Sequence, residues 1–109
     1  MSASRVDGSA RLVVEGELDL GAAAQWEETL LPVLQPPCPK SIDVDLTAVE
    51  FIDSSGLGML VKLRAWAESN SVRLRLLNVP HNVMRVLDFS GVTDLFEVTE
   101  LSAAHLEPD

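Results

Sequence analysis

Residues Ser41-Ile42-Asp43-Val44-Asp45-Leu46 alternate apolar and polar without a break, the period of a β-strand with one face buried. Just upstream, Pro36-Pro37-Cys38-Pro39 forbids a helix, because proline lacks the amide donor and clashes with the preceding turn. Downstream, a loop from Thr47 to Asp53 is expected, then a helix from Ser54 to about Glu68 that Ser69-Asn70-Ser71 ends.

The same alternation of strand and helix recurs on both sides. Toward the C-terminus, Val72-Arg73-Leu74-Arg75-Leu76-Leu77 reads as a half-buried strand. Pro80 opens a third helix, where its missing amide costs nothing; Val83, Val86 and Leu87 give that helix a core face and Ser90-Gly91 its stop. A short strand, Leu95 to Val98, and a terminal helix, Leu101 to about Leu106, complete the chain. Toward the N-terminus, Arg11 to Glu15 is a strand closed by Gly16, with Ser4 to Val6 as an edge strand. Asp19 stands as N-cap to a helix from Leu20 to Leu34, with Leu20, Ala23, Ala24, Leu30, Leu31 and Leu34 as an apolar stripe and Pro32 interrupting the last turn. Strands alternating with helices imply crossover connections. The fold class is therefore α/β: a mixed, mostly parallel sheet of four to five strands with about four helices, in a single domain over residues 1–109. The first two strands lie too close for a crossover, so one edge should be antiparallel.

Composition limits the function classes. Hydrophobic residues make up 47% and charged residues 23%, as in folded soluble proteins, and scarce aromatics (5%, no Tyr) leave an aliphatic core. A net charge of −9 removes the cationic field that drives binding to nucleic acid. The exception is residues 62–85, where Lys62, Arg64, Arg73, Arg75 and Arg85 face only Glu68. Solvated faces account for that run more simply than a docking surface for an acidic partner. Cys38 has no partner for a disulfide, which points to a reducing compartment, and neither His81 nor His105 is accompanied by a cysteine pair that would suggest zinc. The start of the chain lacks a signal-peptide core, and the apolar run Gly56 to Val61 is far short of the ~18 residues that span a bilayer. The reading is a cytoplasmic protein with no membrane partner, metal or cofactor.

Chemistry concentrates at the junction from Asp45 to Gly58, where the best strand runs into a helix. Sites in α/β sheets lie there, beyond the carboxyl ends of strands. Free amides at the helix start favour negative charge, so a serine at this point is either a cap or a place that receives phosphate well. Catalytic readings fail on spacing. Neither Ser54 nor Ser55 has a glycine two residues before it, as a hydrolase elbow needs. Gly56-Leu57-Gly58 lacks the third glycine and the later acid of a dinucleotide fingerprint. Asp43 and Asp45 share a strand face and are expected to point to solvent. The chain is read as a non-enzyme.

The run Asp45-Leu46-Thr47 through Phe51-Ile52-Asp53-Ser54-Ser55-Gly56-Leu57-Gly58 resembles the signature of STAS-domain anti-sigma factor antagonists. Gly16-Glu17-Leu18-Asp19 resembles the turn into their first helix, and Asn78-Val79-Pro80 with Val83, Leu87 and Phe89-Ser90-Gly91 their third helix and its end. The resemblance implies that the unmodified chain binds an anti-sigma factor that is also a serine kinase, and so releases a sigma factor. It implies that the kinase phosphorylates Ser54 and the complex falls apart, and that a PP2C-type phosphatase restores the binding form. Asp53, Ser55, Gly56 and Leu57 would lie in the recognised surface, with Asp19 close by. STAS domains also serve as subunits of lipid-transport ATPases and as scaffolds of stress-signalling assemblies, so those roles stay open beside the antagonist.

The motif helix adds an expectation of its own. At 3.6 residues per turn Leu57, Leu60 and Val61 form one apolar side, and Met59, Leu63 and Trp66 a second. An amphipathic helix needs one buried face, so the second stripe packs either against another helix or against the partner protein.

Overall fold

The computed structural model describes residues 1–100. Five strands form one sheet in the order of the chain: β1 (Ser2–Val6), β2 (Ser9–Leu18), β3 (Ser41–Ile52), β4 (Arg73–Leu77) and β5 (Glu97–Thr99). β1 runs antiparallel to β2 and the remaining pairs are parallel, which agrees with the expected antiparallel edge. Three helices, α1 (Leu20–Leu30), α2 (Ser54–Ser69) and α3 (His81–Phe89), contribute to one aliphatic core with one face of the sheet. The helix expected over 101–106 lies outside the described residues.

Two boundaries differ from the sequence reading, one at Gly16 and one at Thr47. Gly16 does not end β2. It takes a positive φ of 73° and the strand runs on through it to Leu18, with Ala10, Leu12, Val14 and Leu18 buried at a constant period of two; where the pairing with β3 shifts register, between Val13 and Glu15 and again between Gly16 and Glu17, the extra residue lies each time on β3. β3 is the strand that bulges: Thr47 to Ile52 is not a loop but its second half. There Leu46, Val49 and Ile52 face the core at spacings of three, while Thr47 and Ala48 are exposed. Alternation scanning reads such a segment as irregular.

The first helix is also shorter than expected. α1 stops at Leu30 and a 3₁₀ turn, Leu31–Leu34, follows with Pro32 in its opening positions. Trp26, Leu30 and Leu34, four apart, form the buried stripe; Leu20, Ala24 and Leu31 are exposed. Arg5 pins the proline-rich link that follows, its guanidinium donating to the carbonyls of Val33, Gln35 and Pro37. α3 ends as expected: Gly91 has φ +73° and the Val92 amide reaches back to Leu87 O at 3.1 Å. The last strand is displaced, with a 3₁₀ turn over Thr93–Leu95 and β5 only at Glu97–Thr99.

On the sheet face away from the helices, charges pair across strands. Arg11 bonds Asp45 at 2.6 Å, Arg75 holds Asp43 through two bonds of 2.8 and 2.7 Å, and Arg73 holds Glu97. Asp43 and Asp45 thus do share a face, but they are part-buried and ion-paired rather than free in solvent.

Candidate functional site: two capped helix starts at one end of the sheet

β2 and β3 end in register, Leu18 beside Ile52, and the Asp53 amide donates to Leu18 O at 3.3 Å. The residue after each strand is an aspartate, and each caps the helix that follows. Asp19 accepts from the Ala22 amide at 3.2 Å. Asp53 does more: its Oδ1 accepts from both the Ser55 amide at 2.9 Å and the Gly56 amide at 3.1 Å. Paired strands run ~5 Å apart, so the starts of α1 and α2 lie side by side. Asp19 and Asp53, 34 residues apart in sequence, belong to one surface.

Gly56 sets the distance between those helix starts. A Cβ built on it would lie 2.0 Å from Leu18 O and 2.8 Å from Leu18 C, both backbone atoms. Only a residue without a side chain lets the first turn of α2 settle on the end of β2. Gly56 is therefore buried and shapes the surface from beneath; its expected place in the contact surface itself is not what the structure shows.

Ser54 is the first residue of α2 and is exposed. Among the described residues its hydroxyl makes no hydrogen bond, and no carboxylate or imidazole is bonded to it. The cap is Asp53, which settles half of the choice left open by the sequence: Ser54 is not the cap. An unbonded primary hydroxyl thus sits at the positive end of a helix dipole. Ser55 is half-buried with its amide in the cap, and Leu57 leans partly on the core.

The second apolar stripe of α2 packs inward. Met59 is 2% and Leu63 0% exposed, both in the core, and the half-buried Trp66 packs against it. Met59 and Leu63 are thus not surface residues, which corrects their expected place in a partner surface and decides, for these two, between another helix and the partner protein. α2 lies against both the sheet and α1, so two of its faces are covered within the chain. Two apolar residues that the sequence reading did not single out for the site are exposed at this end of the sheet. Leu20, the first residue of α1, is 71% exposed, and Phe51, near the end of β3, is 50% exposed. Both are apolar side chains next to a cap aspartate or close before it. Leu20 was absorbed into an expected helix stripe and Phe51 into an expected loop.

Comparison with known proteins agrees with this geometry. A family model described as "Mlab, STAS domain" matches residues 1–101. Over 87 residues the chain is 34% identical to an anti-sigma-B factor antagonist of Staphylococcus epidermidis, covering 80% of each chain. Among solved structures it is similar to a candidate anti-sigma factor antagonist of Thermotoga maritima, with TM-score 0.81 and 24% identity over 96% of this chain and 91% of that one. It is also similar to the Bacillus cell fate determinant SpoIIAA in its phosphorylated form, with TM-score 0.71 and 22% identity over 95% of both. At these identities the two structures attest the fold. The sheet order, the paired caps and the 34% relative agree, and the chain belongs to the STAS-domain family.

Proposed function

We propose that this chain is an anti-sigma factor antagonist switched by phosphorylation of Ser54. Unmodified, it binds an anti-sigma factor that is also a serine kinase, in the cytoplasm, and so frees a sigma factor. The kinase transfers the γ-phosphoryl group of ATP to the Ser54 hydroxyl, and a PP2C-type phosphatase removes it. The chain is a regulatory binding protein and a substrate of these enzymes, not a catalyst. One observation carries the reading: in a chain 34% identical to an anti-sigma-B factor antagonist, Ser54 presents a bare, unbonded hydroxyl on a rigidly capped helix start. The partner surface comprises Asp19, Asp53, Ser55 and Leu57 around Ser54, with Leu20 and Phe51 as its apolar contacts.

Magnitudes favour a switch at the interface over one that unfolds the chain. Phosphate adds about −1.5 to −2 charge at pH 7. At the start of α2 the helix dipole stabilises it by roughly 0.3–1 kcal/mol, and the nearby Asp19 and Asp53 oppose it, so the net effect on the fold is small. Buried unpaired against a partner, the same charge costs about 3–5 kcal/mol, or about 10²- to 10⁴-fold in affinity. The interface cost wins. Incubation with the kinase and ATP, followed by mass spectrometry, tests the assignment: Ser54→Ala should stay unmodified and Ser55→Ala should take one phosphate. The opposite pattern would put the acceptor at Ser55.

A further inference from the structure

Most of the arginines are engaged within the chain. Arg5 binds backbone carbonyls, and Arg11, Arg64, Arg73 and Arg75 each hold a carboxylate. The basic run of residues 62–85 is thus largely neutralised at home. Arg85 is different: it is exposed, and among the described residues it has no ion pair and no hydrogen bond. It lies in a stripe of α3 formed by Asn82, Arg85, Val86 and Phe89, at i, i+3, i+4 and i+7. Among the described residues, these four line a groove of about 280 Å³. Phe89 is 96% exposed. Single exposed apolar residues are ordinary. Here a bare phenyl ring, a half-buried valine and an unpaired guanidinium share one concave strip, while Val83 and Leu87 already dock the helix on the core.

The groove adjoins the strand that leads into Ser54. The Asn82 side chain donates to Glu50 O at 2.8 Å. The next residue, Phe51, is half-exposed, and Ser54 follows three residues later.

We propose that the groove along α3 is a second anchor for the anti-sigma kinase, taking an apolar side chain flanked by a carboxylate. The inference rests on the antagonist reading above. Charge complementarity selects this occupant. The chain carries a net charge of −9 and repels acidic segments over most of its surface, whereas Arg85 offers an uncommitted fork for a carboxylate beside an aromatic face. Aromatic and arginine side chains are also the ones that concentrate binding energy at interfaces. Since the groove is not at the reacting hydroxyl, its contacts are the same before and after phosphoryl transfer. It therefore adds uniform binding, which lowers KM without changing kcat.

The test is steady-state phosphorylation of the full chain by the kinase that modifies Ser54, with melting temperature as the folding control. Phe89→Ala and Arg85→Glu should each raise KM about tenfold or more while kcat stays within about twofold. Lys40→Glu makes the same charge change at the opposite end of β3 and should leave both constants unchanged. If wild-type chain is phosphorylated on Ser54 but both groove variants keep wild-type KM, the groove inference fails and the antagonist reading stands. If Lys40→Glu raises KM as much as Arg85→Glu, the effect is net charge and the groove is again refuted. If no kinase phosphorylates or binds the wild-type chain, both readings fall. A wild-type dimer in sedimentation that Phe89→Ala disperses would give the groove to a second copy and overturn the proposal.

Discussion

Gly56→Ala should damage this protein far more than one methyl group ordinarily does. The added Cβ would sit 2.0 Å from Leu18 O, against a practical limit of 3.0 Å, so α2 and the end of β2 must part by about 1 Å. Overpacking costs about 1–3 kcal/mol where something can yield; here backbone meets backbone, which puts the cost near 3 kcal/mol. Alanine's better helix propensity returns about 1 kcal/mol. The net loss of about 2 kcal/mol corresponds to a melting temperature lower by about 8–16 °C. Gly58 is the control, two residues on in the same helix, where a Cβ meets nothing within 4 Å. Gly58→Ala should gain about 0.5–1 kcal/mol from propensity alone and melt a few degrees higher. Thermal unfolding followed by circular dichroism reads both. Opposite signs are required. If Gly56→Ala melts at or above wild type, or the two variants shift together, the close approach of α2 to Leu18 is not what builds the site.

Asp53→Ala removes the acceptor for two amides and should lower the unfolding free energy by about 1–2 kcal/mol, while Asp53→Asn keeps most of the cap; urea midpoints that fail to separate the two would refute the capping role. Leu63→Ala should cost about 2–5 kcal/mol as a core truncation. A Leu63→Ala chain of wild-type stability that binds the kinase poorly would restore the residue to the interface. Burial alone would raise the Asp45 carboxyl, but the Thr47 hydroxyl and amide and the Arg11 guanidinium outweigh it and hold it below its ordinary value. Its contribution to stability is fully present above the unfolded value of 3.8 and is lost as the pH falls through the lower folded value. Asp45→Asn should therefore be less stable than wild type at pH 7 and converge with it as the pH falls through the lowered folded value; a gap that stays constant as the pH falls through the acid range would contradict the assignment.

How far the sequence could be read depended on where the backbone kept a regular period. Ser41 to Leu46, α2 and α3 were legible because alternation or helical spacing held and prolines, a glycine or short polar runs marked their ends. The far half of β3 was not, since two register shifts against β2 placed Val49 and Ile52 inward at spacings of three. Asp19, Asp53 and Ser54 could be named from sequence and resemblance. That the two aspartates follow paired residues, and that Gly56 touches the Leu18 carbonyl, depends on how the sheet brings Leu18 to Ile52. The Met59 and Leu63 stripe failed as a surface for a related reason: periodicity shows that a second face is apolar but not which neighbour covers it, and here the chain covers it itself. The residues left bare, Leu20, Phe51 and Phe89, break no pattern in the sequence. They stand out only once burial is known.

The central claim is that phosphate on Ser54 acts at the interface and leaves the fold intact. Purified chain, unmodified and stoichiometrically phosphorylated on Ser54, can be titrated calorimetrically against the same anti-sigma kinase, with the melting temperature of each form measured alongside. The phosphorylated form should bind about 10²- to 10⁴-fold more weakly, with melting temperatures that agree to within a few degrees. Equal affinities would contradict it, and so would a phosphorylated form that loses binding only because it has unfolded.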